Sequence, residues 1–144
     1  MKKLFYRVKS VQTDKSPEKI IQSFRSVAFP SKHNLFSENQ FYFRTGVTHG
    51  GNRLYITFHV RGKVVPDFSS NRNLVTFSVQ PPPCSYIGLM IFTAAVIYSC
   101  ISLLLSAGTV FFFFAACIFE ILYIANIKWQ MTACEEKIIH RLRN

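Results

Sequence analysis

The sequence predicts an α+β head, an antiparallel sheet with one packed helix, followed by a two-helix transmembrane hairpin. Three observations predict it. Four stretches within the first 80 residues alternate apolar and polar side chains. One stretch between the first two carries a helical apolar stripe behind a capped start. Two long apolar runs then follow, separated only by Ser106-Ala107-Gly108-Thr109. The corresponding segments are a basic α+β domain (1–80), a Pro-rich spacer (81–85), transmembrane helices at 86–106 and 109–127, and a basic helical tail (128–144).

Period-two alternation marks strands buried on one face. In Leu4–Val11, Leu4, Tyr6 and Val8 oppose Phe5, Arg7, Lys9 and Val11. Phe41 and Phe43 oppose Tyr42 and Arg44. In Leu54–Arg61, Leu54, Ile56, Phe58 and Val60 oppose Tyr55, Thr57, His59 and Arg61, and in Leu74–Val79, Val75, Phe77 and Val79 oppose Leu74, Thr76 and Ser78. Gly50-Gly51-Asn52 and the Ser69–Asn73 run supply turns. Gly62 suggests a bulge or bend, with the third strand running on toward Val65.

The helix starts at Ser16 as N-cap, with Pro17 at the first helical position and Glu18 at the positive end of the dipole. Ile20, Ile21, Phe24 and Val27 form its stripe and Pro30 bounds it. Strand, helix, then a run of strands reads as a sheet with the helix on its apolar face. The tail, Gln130 to Leu142, has helical character and a contact stripe of Ile138, Ile139 and Leu142.

The two apolar runs are about 31 Å and about 28 Å long as helices, close to the hydrocarbon thickness of a bilayer. A helix lying on the membrane surface needs a polar face, and these have none. The rest of the chain is too small to bury them. Ala107-Gly108 makes a tight turn and forces the helices antiparallel. Pro81-Pro82-Pro83 reads as a stiff extended spacer and as a strand terminator.

The formal net charge is +10, and thirteen of the 17 Lys and Arg lie in residues 1–83. Such a head suits anionic lipid, an acidic protein, nucleic acid, or simply a solvated surface. Leu4-Phe5-Tyr6 is followed at once by Arg7 and Lys9, too short an apolar run for a secretory signal. Arg72 and Lys128 flank the apolar runs and the connection between them is uncharged. The positive-inside rule therefore places both termini in the cytoplasm of a multi-pass protein of the cell (inner or plasma) membrane, with Tyr86 and Trp129 at the interfaces.

Within the apolar runs Glu120 is the sharpest residue, because a carboxylate in hydrocarbon is costly. Thr93 and Tyr98 lie at similar depth on the first helix, and Tyr123 and Cys117 lie one turn from Glu120. A proton relay, an ion site, pairing with a basic group of another subunit, and a neutral carboxyl bonded to a hydroxyl all fit. In the head, Arg7, Lys9, Tyr42, Arg44, Tyr55, His59 and Arg61 form a basic and aromatic face opposite the helix. This has the logic of a single-stranded RNA platform, but no RNP1 string accompanies it, so lipid or protein contact fits better and nucleic acid is the weaker partner.

Cys84, Cys100, Cys117 and Cys134 make no CxxC and read as small packing residues, with Cys84 and Cys134 open to acylation. His33, His49, His59 and His140 form no metal set, the head has no carboxylate pair for acid–base work, and Gly50-Gly51 lacks the Lys-Ser/Thr of a phosphate-binding loop. No cofactor and no enzymatic activity is expected.

Ser16-Pro17-Glu18 opening a lone helix, Phe41-Tyr42-Phe43-Arg44, Gly62 before a loop and strand, and two final apolar helices resemble a loose group of small uncharacterised bacterial membrane proteins. The resemblance covers most of the chain and implies architecture alone, a cytosolic α+β head on two transmembrane helices. The expected role is that of a membrane-anchored, non-enzymatic accessory protein. Its head binds a protein partner while the hairpin packs in a membrane assembly or homo-oligomer. An anionic-lipid- or nucleic-acid-binding head and an oligomeric channel or transporter subunit using Glu120 are the alternatives.

Overall fold

The computed structural model describes residues 5–37, 39–46, 57–67, 72–105 and 110–143. In chain order the elements are β1 (Arg7–Thr13), α1 (Pro17–Val27), β2 (Leu35–Phe36), β3 (Gln40–Gly46), β4 (Thr57–Asp67), β5 (Arg72–Gln80), α2 (Pro83–Leu105) and α3 (Val110–Arg143). The expected segment Leu54–Ile56 with Tyr55, both glycine-rich and serine-rich turn centres (50–52 and 69–71) and the 106–109 connection lie outside the described residues. The chain divides into two compact units, Met1–Pro81 with Gln130–Asn144, and Pro82–Trp129.

In the first unit the sheet order is β1-β5-β4-β3-β2, with every neighbouring pair antiparallel. β2 to β5 form a meander. α1 carries the chain from the β1 edge across to the β2 edge. The sequence reading held four strands. The two-residue β2, Leu35↔Tyr42 and Phe36↔Phe41, is a fifth, too short to show alternation.

Residues directly opposite in an antiparallel ladder share a face, so the register sorts the side chains. Phe43↔Val60↔Val79 and Thr45↔Phe58 lie on the packed face, all buried. α1 covers this face from the β3 side. Phe24 sits 4.6 Å from Phe41 and 5.5 Å from Phe43 between ring centroids, and Thr45 Oγ1 donates to Val27 O at 2.8 Å. Ile20, Ile21, Phe24 and Val27 are the buried stripe, as their spacing predicts. Ser16 occupies the N-cap position, and its hydroxyl makes no capping bond.

The first strand corrects the sequence reading. Arg7↔Val79 and Lys9↔Phe77 put Arg7 and Lys9 on the packed face, not on the face opposite the helix. Two exposed apolar residues, Tyr6 and Val8, take the other side. Arg7 and Lys9 stay exposed on β1, the edge strand.

A second helix segment shares this face, so the sheet carries two packed helices and not one. The last turns of α3 bury Met131, Cys134, Ile138 and Leu142, spaced 3, 4 and 4 residues apart on one stripe. Ile139, expected on that stripe, is only half-buried. Thr13 Oγ1 donates to Leu142 O at 2.8 Å and Lys15 Nζ to Arg141 O at 2.8 Å, which satisfies two helix-end carbonyls that lack intrahelical partners. Lys9 Nζ lies 3.9 Å from the buried carboxylate of Glu135.

Gly62 sits in an unbroken ladder, Phe41↔Gly62↔Phe77, and makes no bulge. A Cβ there would stand 2.5 Å from Phe41 Cζ and closer still to the Thr76 carbonyl oxygen. The glycine therefore makes room for the Phe41 ring, which joins the β3 side of the core to α1 through Phe24.

In the second unit α2 starts at Pro83, where a missing N–H costs nothing. The linker after β5 is therefore Pro81-Pro82, shorter than the 81–85 spacer expected. Contacts between Thr93 and Glu120, Phe92 and Tyr123, and Tyr123 and Ser85 pair residues that rise in one helix as they fall in the other, so α2 and α3 are antiparallel neighbours. Both helices are long and apolar enough to cross a membrane.

The Gly62 packing makes a direct prediction. Gly62→Ala should destabilise the chain by about 1–3 kcal/mol through overpacking. Gly62→Ala with Phe41→Leu should recover part of that loss. Chemical denaturation of the full chain in detergent, followed by circular dichroism of the sheet, reads both.

Candidate functional site

Two places gather the polar groups that the sequence singles out. The first is the sheet face opposite the helices. Tyr42↔Arg61 and Arg44↔His59 lie side by side there on β3 and β4, as the alternation predicts for these four residues. Arg7 and Lys9 are absent from this face, and Tyr55 lies outside the described residues.

The ring pair at its centre is specific. The Tyr42 hydroxyl is hydrogen-bonded to His59 Nδ1, with the rings tilted at 38°. Burial, and secondarily the Arg44 guanidinium, lower the His59 pKa below its ordinary 6.5. In the Nε2–H tautomer of a neutral imidazole Tyr42 donates to Nδ1, and in the Nδ1–H tautomer the phenol oxygen accepts. The Arg44 Nε atom is buried and has no hydrogen-bond partner.

A loop the sequence did not mark completes this place. Asn34 clamps it to β3: Nδ2 donates to Phe29 O at 2.7 Å, and Oδ1 accepts from Arg44 N at 3.3 Å. Phe29 N donates to Arg44 O at 2.7 Å, so the backbone of Arg44 on the β2 side of β3 is paired. The clamp sets Lys32, His33 and Leu35 beside Tyr42, His59, Arg61 and Gln80 around a cleft of about 780 Å³. The signal available in the sequence was Lys32-His33 ahead of a strand, and only the tertiary fold brings it against β4.

The second place is between α2 and α3. Thr93 Oγ1 lies 2.8 Å from Glu120 Oε1 and 2.9 Å from Leu89 O. A hydroxyl has one proton, so the two acceptors share it. Tyr123 turns elsewhere: its hydroxyl donates to Ser85 O at 3.2 Å and its ring lies against Gly88, where a Cβ would come within 2.9 Å of Cζ. Tyr98 is 73% exposed and does not join Glu120.

Cys134 is fully buried, and burial pushes its thiol up to about 12, which removes it as an acylation candidate; Cys84 is exposed. No protein-family model matches the chain, and no curated protein matches it.

His59 predicts a pH dependence. Its folded-state pKa is depressed, so the unfolded chain takes up the proton first. The stability it contributes is complete above pH 6.5 and declines as the pH falls through 6.5 toward the folded value. Denaturation midpoints measured between neutral and mildly acid pH should show this decline, and His59→Gln should flatten it. For the helix pair, Glu120→Gln should retain the Thr93 bond, whereas Glu120→Leu and Thr93→Val should each weaken α2–α3 pairing by about 0.6–2 kcal/mol. Reversible unfolding in mixed micelles measures the difference.

Proposed function

We propose that the chain is a multi-pass protein of the cell membrane, anchored by α2 and α3 as a transmembrane hairpin, whose cytosolic head is a non-enzymatic docking module for an acidic protein partner. The observation that carries the reading is the apolar surface of the helix pair. Only 11% of the α2 window and 6% of the α3 window most suited to a membrane are buried, which favours lipid-facing helices over core helices of a soluble fold. Ile91, Ile97, Phe111, Phe119 and Ile121 are each more than half exposed, a surface that hydrocarbon covers and water does not. Head and tail both lie on the Lys- and Arg-rich side, which supports a cytoplasmic placement of both termini.

The head supplies contact groups and not a reaction centre. Cations and aromatic rings in the Tyr42, Arg44, His59 and Arg61 block steer and hold an acidic surface. Glu120 has a partner inside its own chain, which favours a structural role in the hairpin over an ion pathway.

The test has two parts. The chain should resist extraction from membranes by alkaline carbonate, and single cysteines placed at 106–109 should be labelled only from outside the cell. Labelling from the cytosol overturns the orientation, and release by carbonate overturns the anchor. Gentle detergent purification on an N-terminal tag should then return a stoichiometric partner lost in Arg44→Glu/Arg61→Glu; a bare homo-oligomer unaffected by those changes contradicts the docking role.

A further inference from the structure

We propose that the cleft between the Asn34 loop and the β3–β4 outer face binds a phosphomonoester, with Arg61, Lys32 and His33 holding the phosphoryl group and the Tyr42–His59 pair forming its floor. The proposal rests on the reading of the head as a binding module and is independent of the membrane assignment.

The cleft has the size of a small-molecule site, about 780 Å³. Its donors differ in kind: a guanidinium, an ammonium, two imidazoles, a phenol and the amides of Gln40 and Gln80. No carboxylate lines it among the described residues. A phosphomonoester carries a charge of about −1.5 to −2 and three strong acceptor oxygens, which uses this set more fully than a carboxylate does. Arg presents a planar fork matched to phosphoryl oxygens, and Lys adds a mobile point charge. Leu35, on the same side of the sheet as Tyr42 and 69% exposed at the rim, adds apolar wall for the organic part of the ester.

Two further observations point to an anion. Arg44, next to His59 on the same face and with a buried Nε that has no hydrogen-bond partner, adds positive charge beside the cleft. The loop carrying Lys32 and His33 is fixed in place by the Asn34 clamp and by Asn34 N donating to Ser31 O at 3.2 Å, so the cationic wall is built before any ligand arrives.

The ester can be a lipid headgroup or a soluble metabolite, and one experiment separates them. The full chain, labelled at histidine, is placed in phosphatidylcholine nanodiscs and titrated with glycerol 3-phosphate, with glutarate as the carboxylate control. A second series uses discs containing phosphatidic acid. The His33 and His59 imidazole signals should shift saturably. Lys32→Gln/Arg61→Gln should weaken the response at least about tenfold, the size of one lost charge-assisted bond. Lys19→Gln, the loss of a single positive charge on α1, should leave it intact. A response to glycerol 3-phosphate assigns a soluble ester, and a response to phosphatidic acid alone assigns a headgroup. No saturable shift with either probe, equal loss in Lys19→Gln, or glutarate binding as well as the ester overturns the proposal. Lys32 and Arg61 are exposed, so the double variant keeps its fold, checked by an unchanged amide spectrum. Carbonate extraction reports on the anchor separately, so failure of one reading leaves the other measurable.

Discussion

The exposed apolar surface of α2 and α3 is the constraint from which the rest of the account follows. The apolar windows of α2 and α3 are only 11% and 6% buried, so most of their surface is uncovered. Water penalises that surface by about 25 cal/mol per Å², and hydrocarbon removes the penalty. Helices also satisfy their own backbone groups, which is what a segment in lipid must do. The few polar side chains on the seam then need partners within the pair. Glu120 takes Thr93, and Tyr123 donates to the Ser85 carbonyl in the first turn of α2, with Gly88 leaving room for its ring.

The head obeys a different economy. Its sheet takes cover from two helices, and α1 packs against β3 through Phe24 and Val27. The last turns of α3 supply the rest, and Thr13 and Lys15 fasten them at the helix end. A head made from residues 1–80 alone would lack Met131, Cys134, Ile138 and Leu142 from its core. α3 therefore contributes to both units, apolar all round in its first part and amphipathic from Gln130 onward.

Alternation and helical spacing made most of the head legible. The α1 stripe, β3 and β5 are where their patterns place them, and the faces of Tyr42, Arg44, His59 and Arg61 follow from period two. β1 was not legible in the same way. Phe5 and Val11 compete with Tyr6 and Val8, so both faces of the strand look partly apolar, and only pairing with β5 decides which one meets the core. Gly62 looked like a break because its cause, the Phe41 ring, is on another strand. Counting depth found Thr93 for Glu120 but also Tyr98, which stands five residues on and so about 140° round the helix. The cleft was invisible because a loop and two strands far apart in sequence build it.

The most direct test of the central claim is residue-by-residue accessibility of spin labels along α2 and α3 in the native membrane. Labels replacing Ile91, Ile97, Phe119 and Ile121 should relax strongly with oxygen, which partitions into hydrocarbon, and weakly with a water-soluble nickel complex. A label replacing Glu136, exposed in the last part of α3, should show the opposite preference. Nickel accessibility at the four apolar positions would mean that water, and not lipid, faces the helix pair, and the account built on that surface would fall.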